Sequence, residues 1–460
     1  MKKTRIRLWL AGQGLALLLI SLSGALAEEA VKPAPAPSAS KTLSLEEAIR
    51  TALENNPTVR IAQAQYDKAR ARVSEARAGY GPVLSAASTY TRSGPIPTFS
   101  IPTPTGVETV QIGVAEDTRS KISVALPLDI SREIGTAVDA ASFGRLAAQF
   151  ALAAVQQNVV LQTQEGYLAV LRTAGLKAVA EEALAAAQEH LRIAQVNFKA
   201  GVAPRFDVLR AEVQVANFQQ QLLQASNAVD LAKASLNFTM GVDVNQAMEV
   251  QTPAAEQPIT PPSVEESQQE ASKCRPDLLQ AEAQVKAAQS GIRLAKAGLL
   301  PGFFVSADSN YDANPGGLGG LDHTWDVNVG ATLKIFDSGQ TQARVRQARA
   351  EAEAAAQVAQ LTENQVMLEV RSAHLSLLEA AERMRATEKD VEQAREALRL
   401  AQLRYQAGLS PAIEVTDAEV ALAQSRTNQV NAYYDYLLAK ARLEKAVGRP
   451  AQEILEKDEG

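Results

Sequence analysis

The sequence predicts a mixed α and β chain. Its long α-helices form a coiled-coil barrel, and its strands, four per protomer, are pooled by several protomers, most simply three, into a transmembrane β-barrel. Three observations carry this. Residues 191–241 and 398–448 are two copies of one segment, with 19 of 51 positions identical without a gap at an offset of 207. Apolar residues then recur every three or four positions over stretches far too long for a globular helix. Between the helical stretches the period drops to two, the mark of strands with one apolar face.

The N-terminus reads Met1-Lys2-Lys3-Thr4-Arg5-Ile6-Arg7, then a short apolar run, then Ala25-Leu26-Ala27. A basic start, a short apolar core and an A-x-A site predict a secretory signal peptide over 1–27. The competing reading is a membrane anchor, but the run is short for a span and holds Gly12, Gln13 and Gly14. No Cys follows the cleavage site, so nothing supports a lipid anchor. The formal net charge is −6, and about −10 for a chain starting at Glu28, which argues against nucleic acid as a partner. Residues 28–41 are a Pro/Ala/Ser-rich linker.

The first repeat is placed at 42–241. Ser44-x-x-Glu47 is a capping box that opens a short helix ending before Pro57. A helix of about 20 residues runs on to Gly79, and Pro82 breaks it. Strands are expected within about 82–130, where Ile122, Val124, Leu126, Leu128 and Ile130 alternate with polar or small residues. The segment 93–117, rich in Pro, Thr, Gly and Ser, holds 12 residues more than its counterpart and reads as a surface loop. A long helix is expected at roughly 139–200, then a tight turn at 201–204 and a returning helix.

After a linker at 242–264, the second repeat fills 265–448, and 449–460 is a tail. Pro276, Ala281, Ala283, Ala288, Ala295, Ala297, Gly298 and Pro301 repeat Pro57, Ala62, Ala64, Ala69, Ala76, Ala78, Gly79 and Pro82 at an offset of 219. A hairpin is expected at about 301–336. Trp325, Val327, Val329, Ala331, Leu333 and Ile335 alternate there, and the Gly-rich stretch 314–320 closes it. From Val366 to Tyr405 the series of small and apolar residues keeps a 3.5-residue period within a helix at about 340–407. At 1.5 Å per residue such helices reach about 90–100 Å. Both end at a glycine followed three residues later by proline, Gly201/Pro204 and Gly408/Pro411. Taken alone these tips are ordinary helix-turn-helix punctuation, and their duplication in identical context points to a shared role.

Ten-residue strands cross a bilayer when tilted. Four of them cannot close a barrel, and an open edge is not tolerated in lipid. Three copies give twelve strands, a size found in outer membranes. Tyr80, Tyr90, Phe303, Phe304, Tyr311 and Trp325 are available as an interfacial belt. The alternative is a soluble sheet packed on the helices, and the aromatic content of 5% leans that way.

At this point the chain resembles the TolC-like outer-membrane efflux proteins, over nearly the whole stretch that follows the signal peptide. Leu43-Ser44-Leu45-Glu46-Glu47-Ala48 through Asn56-Pro57 is similar to that family's opening helix, and Ile335-Phe336-Asp337-Ser338-Gly339 to its strand-to-helix junction. Tyr405-x-x-Gly408-x-x-Pro411-x-x-Glu414-Val415-x-Asp417 is similar to its helix tip. The resemblance implies a homotrimer and a helical tunnel through the periplasm. It also implies docking to a periplasmic adaptor (membrane fusion) protein and an inner-membrane pump, with outer-membrane lipid around the barrel. Gly201, Val202, Ala203 and Pro204, with Gly408, Leu409, Ser410 and Pro411, match the adaptor-contacting tips. Asp207, Glu414 and Asp417 match acidic positions at the closed periplasmic entrance, and Tyr405 a gate tyrosine. Ser410 stands where family members can carry Arg two residues after the tip glycine, and Arg205 lies nearby in the first repeat.

Threefold symmetry would turn each of those acids into a ring of three, and carboxylate rings favour cations in a narrow pore. The plainer reading is that acids suit the first turn of a helix. Cys274 is the only cysteine, which excludes an intrachain disulfide, and His190, His323 and His374 lack ligand-like spacing. With no nucleophile motif, phosphate loop or zinc signature, neither an enzyme nor a cofactor is expected. The expected function is the outer-membrane channel of a tripartite efflux or type I secretion system, a passive duct for small molecules or proteins. A pore-less coiled-coil scaffold or adhesin of the envelope is the alternative. A wide water-filled tube has no pocket from which its cargo could be read.

Overall fold

The computed structural model describes residues 42–111, 114–252, 261–313 and 321–448. The expected signal peptide, the linker at 28–41, the Gly-rich stretch 314–320 and the tail at 449–460 lie outside these. The described elements run in order β1 (Thr42–Leu43), α1 (Leu45–Asn55), α2 (Pro57–Ala78), β2 (Val83–Arg92), β3 (Thr98–Thr103), β4 (Gly106–Gln111), β5 (Glu116–Leu128), α3 (Glu133–Lys199) and α4 (Arg205–Met240). Then follow β6 (Glu249–Val250), α5 (Val264–Cys274), α6 (Pro276–Ala297), β7 (Gly302–Asp312), β8 (His323–Thr332), α7 (Gln340–Gln406) and α8 (Ala412–Val447).

The internal duplication is visible in the lengths. Helices α1 and α5 have 11 residues each, α2 and α6 have 22, α3 and α7 have 67, and α4 and α8 have 36. The caps repeat too. Ser44 accepts from the Glu47 amide, and Ser263 from the Glu266 amide, each with the reciprocal glutamate bond of a capping box. The second box repeats the Ser-x-Glu-Glu of the first at the same offset of 219.

Why the long helices hold together follows from their spacing. All twelve positions of the 3.5-residue series on α7, from Val366 to Tyr405, are buried or half-buried. Such a seam curls one helix around another. Helix α3 packs on α4, α7 on α8, and α3 also on α8, so two hairpins lie side by side with α8 flanked by α3 and α7. Around the middle of the hairpins, Ala48, Ala52, Tyr167, Leu236 and Met240 form one core. The Tyr167 hydroxyl donates to the Gln251 carbonyl at 2.6 Å and lies 3.0 Å from that of Leu43, tying the two-residue parallel pair β1–β6 to α3. Gly241 closes α4 at φ +71°, and a Cβ there would lie 2.6 Å from the Asn55 carbonyl oxygen, so a side chain is excluded on two counts.

The strands β2, β5, β7 and β8 form a four-stranded antiparallel sheet in the order β2-β5-β7-β8. The register sorts its faces. Leu84, Ile122, Val124, Val305, Val327, Val329 and Trp325 share one face, and Asp117, Arg119, Lys121, Asp308, Asn310, Asp312 and Asp326 the other. On the apolar face Leu84 is 71% exposed, Trp325 74% and Val329 77%. On the polar face Lys121 pairs with Asp308 at 3.1 Å, and the Arg119 guanidinium is shared by Asp117 at 2.8 Å and Asp312 at 3.2 Å. The strands pack chiefly on one another. A sheet with an uncovered apolar face on one side and a ladder of ion pairs on the other suits lipid outside and water inside.

Three expectations are corrected. The segment 93–117 is not only loop: β3 and β4 pair within it as a separate hairpin, turned at Pro104 and Thr105. Strand β8 ends at Thr332 rather than running through Ile335, because the turn into α7 begins there, with Ser338 at φ +53° and Gly339 at +82°. Phe304 does not belong to an outward belt. It pairs with Gly330 on the polar face, and its ring fills the place of the missing side chain.

Candidate functional site: the hairpin tips

The two ends farthest from the sheet are built alike. Gly201 at φ +76° and Gly408 at +70° end the long helices. The amides of Val202 and Leu409 reach back to the carbonyls of Asn197 (3.0 Å) and Arg404 (2.8 Å), so each last turn is closed by a left-handed glycine cap. Pro204 and Pro411 then start the returning helices from extended backbone, both at φ −73°. What each turn shows to solvent is largely apolar. Val202 and Leu409 are each 75% exposed, and Phe206 is 66% exposed. Ala203 and Ser410 are half-buried.

Just above the tips the hairpins touch. The rings of His190 on α3 and Tyr405 on α7 lie 5.7 Å apart at 49°. His190 is buried, and burial holds its imidazole below its ordinary value, with the Asp207 carboxylate pulling the other way. Tyr405, His190 and Asp207 are therefore one cluster that joins the first hairpin to the second. The Tyr405 hydroxyl is buried without a hydrogen-bond partner, and so is the Ser410 hydroxyl.

The other two acids stand apart from this cluster. Glu414 pairs with Arg404 at 3.4 Å, across the turn of its own hairpin. Asp417 is exposed, and among the described residues no ion pair reaches it. Arg404, which the sequence does not single out, is the basic partner of Glu414 at this turn. The signal was faint: a basic residue in the last turn of a helix is ordinary. Among the described residues no group of three or more metal-ligating side chains gathers, and no helix is long and apolar enough to cross a membrane.

A duplicated pair of helical hairpins, each built on a 67-residue helix and carrying a small two-faced sheet, defines a barrel-forming envelope channel subunit. The comparisons agree. A family model described as outer membrane efflux protein matches residues 48–242 and 268–449, one range per repeat. Outer membrane protein TolC of Vibrio cholerae is 26% identical over 302 residues, covering 64% of this chain and 69% of TolC. The probable efflux pump outer membrane protein TtgC of Pseudomonas putida is 24% identical over 413 residues, covering 88% and 83%. The solved outer membrane protein VceC of Vibrio cholerae superposes with a TM-score of 0.76 at 21% identity, over 88% of this chain and 96% of that one.

The chain belongs to the outer membrane efflux protein family. It is an outer-membrane channel of a tripartite export system, set in the outer membrane and reaching into the periplasm. Membership in a family of ducts sets aside the pore-less scaffold. Channels of this family form trimers and work with an adaptor and an inner-membrane pump.

Proposed function

We propose that three copies of this chain form a passive duct whose periplasmic mouth is held by the tip contacts just described, with no chemistry of its own. The observation that carries this is the sheet. Its four strands have two free edges, an apolar outer face and a charged inner face, and twelve strands from three copies close it. The tips Gly201–Pro204 and Gly408–Pro411, with Val202, Leu409 and Phe206 exposed beside them, form the surface for a periplasmic adaptor that couples the duct to its pump. The duct's width at the mouth is set by how far the second hairpin leans from the first. Within each hairpin the packing is continuous, whereas near the tips the hairpins meet through His190 and Tyr405.

Asp207, Tyr405, Glu414 and Asp417 are the gate residues in this reading. With Glu414 offset by Arg404, Asp417 is an exposed carboxylate without an ion pair among the described residues, repeated three times around the mouth. In planar bilayers under a salt gradient the reversal potential is expected to show a cation-selective channel. Glu414→Ala with Asp417→Ala is expected to weaken that selectivity and to relieve block by trivalent cations. An anion-selective wild type, or a double variant with unchanged reversal potential and block, removes these residues from the gate.

A further inference from the structure

Helix α8 carries a buried carboxylate that nothing answers. Glu419 is 5% exposed, and neither of its carboxylate oxygens has a hydrogen-bond partner. It lines a cavity of about 130 Å³ where α8 lies between α3 and α7, two turns beyond the tip of the second hairpin. The walls are Val179 and Ala183 from α3, Leu398 from α7 and Leu422 from α8. The charged groups on this cavity are Glu182 from α3 and Arg426 from α8, and they pair with each other. Helix α7 presents no charge to it: Glu396 and Arg399, near Leu398, pair together on the exposed side. Helix α4 contributes no lining residue. His190, farther down α3 toward the tip, is occupied with Tyr405.

The repeat sharpens the oddity. Glu212 holds the same place on α4, at the offset of 207, and is exposed. An acid at this position costs nothing in solvent. In the seam between the two hairpins it is costly, because burying an ionised carboxylate without a partner is strongly unfavourable.

We infer that Glu419 is a proton-binding positioning residue of the gate: it holds the second hairpin against the first when protonated and lets them part when ionised. Protonated, it fits the apolar seam as found. Ionised, it must reach water or draw Arg426 away from Glu182, and either move loosens α8 from α3. The inference rests on the reading that the duct opens by the parting of these hairpins.

The direction with pH follows from the shift. Burial pushes the Glu419 carboxyl up from the usual 4.5 to about 7. A raised carboxyl keeps its proton in the closed seam while an exposed one has lost it. Closure is therefore strongest below about 4.5, weakens as pH rises towards about 7, and is constant above that. Across this window the ratio of parted to closed seams changes by up to about tenfold per pH unit for each carboxyl.

The test uses the purified full-length channel in planar bilayers from acid to mildly alkaline pH, with infrared difference spectra of the carboxyl band on the same protein. Wild type is expected to open more as pH rises through the window, and its spectrum to lose a protonated carboxyl that Glu419→Gln lacks. Glu419→Gln, which keeps the shape of a protonated carboxyl, should stay at the acid-side level of opening at every pH. Glu419→Asp should restore a pH-dependent profile. A Glu419→Gln channel with the wild-type profile overturns the inference, and so does a carboxyl that titrates while opening stays flat. Failure of the tip gate itself would show differently, as Tyr405→Ala and Asp417→Ala channels indistinguishable from wild type at every pH.

Discussion

Gly408→Pro is expected to reduce export to the level of a strain lacking the channel, while trimers still form and reach the outer membrane. Gly408 sits at φ +70°, which proline cannot adopt, and its amide donates to the Tyr405 carbonyl, a bond proline cannot make. The cap of α7 is lost, and with it the place of Leu409 and the approach to Pro411. The damage stays local because the tip lies at the opposite end of α7 from the sheet. Gly201→Pro should act alike, its amide donating to the Phe198 carbonyl. Resistance or secretion in a complemented deletion strain is the readout, with trimer content by gel as the control. Normal export with either variant would mean that the tips carry no docking or gating role.

A second large effect is expected in the sheet, and a one-residue step should reverse it. Val124 lies mid-strand in β5 between Leu84 and Ala307, on the apolar face. Arginine on the lipid face of a barrel costs about 2–4 kcal/mol at the bilayer midplane, and a trimer meets that cost three times. Val124→Arg is therefore expected to abolish assembly into the outer membrane. Ser123, its neighbour, points to the polar face, paired with Ser85 and Asp308. Ser123→Arg should assemble at close to wild-type yield and change conductance instead. Heat-resistant trimer in outer-membrane fractions distinguishes them. Equal effects of the two substitutions would mean that the sheet is not a two-faced wall between lipid and water.

Much of this architecture could be read from residue spacing. The offset of 207 required two hairpins of equal length, and both pairs of helices match to the residue. The period-two runs placed β5 and β8, since one apolar face is a strong constraint on a strand. The end of β8 is less legible, because Leu333 and Ile335 continue the alternation into a turn whose shape is set by Asp337, Ser338 and Gly339. The β3–β4 hairpin was hidden by its own composition. Pro102 lies inside β3, where proline argues against a strand except at an edge, and a two-stranded ribbon is all edge.

The tips were legible because glycine and proline mark backbone conformation directly. Their partners were not. Tyr405 meets His190 through the packing of helices and Glu414 meets Arg404 across the turn, and nothing in the sequence separates His190 or Arg404 from an ordinary solvated face. Glu419 is the instructive case. Val415, Glu419, Leu422 and Arg426 follow the same four-three-four spacing as the apolar seams, so the spacing alone sets a charge in a buried stripe. Its exposed twin Glu212 shows the limit of that signal: the same motif is harmless on one helix and costly on the other, and only tertiary packing tells them apart.

The central claim is that the strands of one chain are incomplete and close only in company. The most direct test is the mass of the purified full-length protein in detergent, by light scattering corrected for bound detergent or by native mass spectrometry. Three copies per particle, with the strand content retained, is the result the account predicts. A stable monomer that keeps its strands would contradict it.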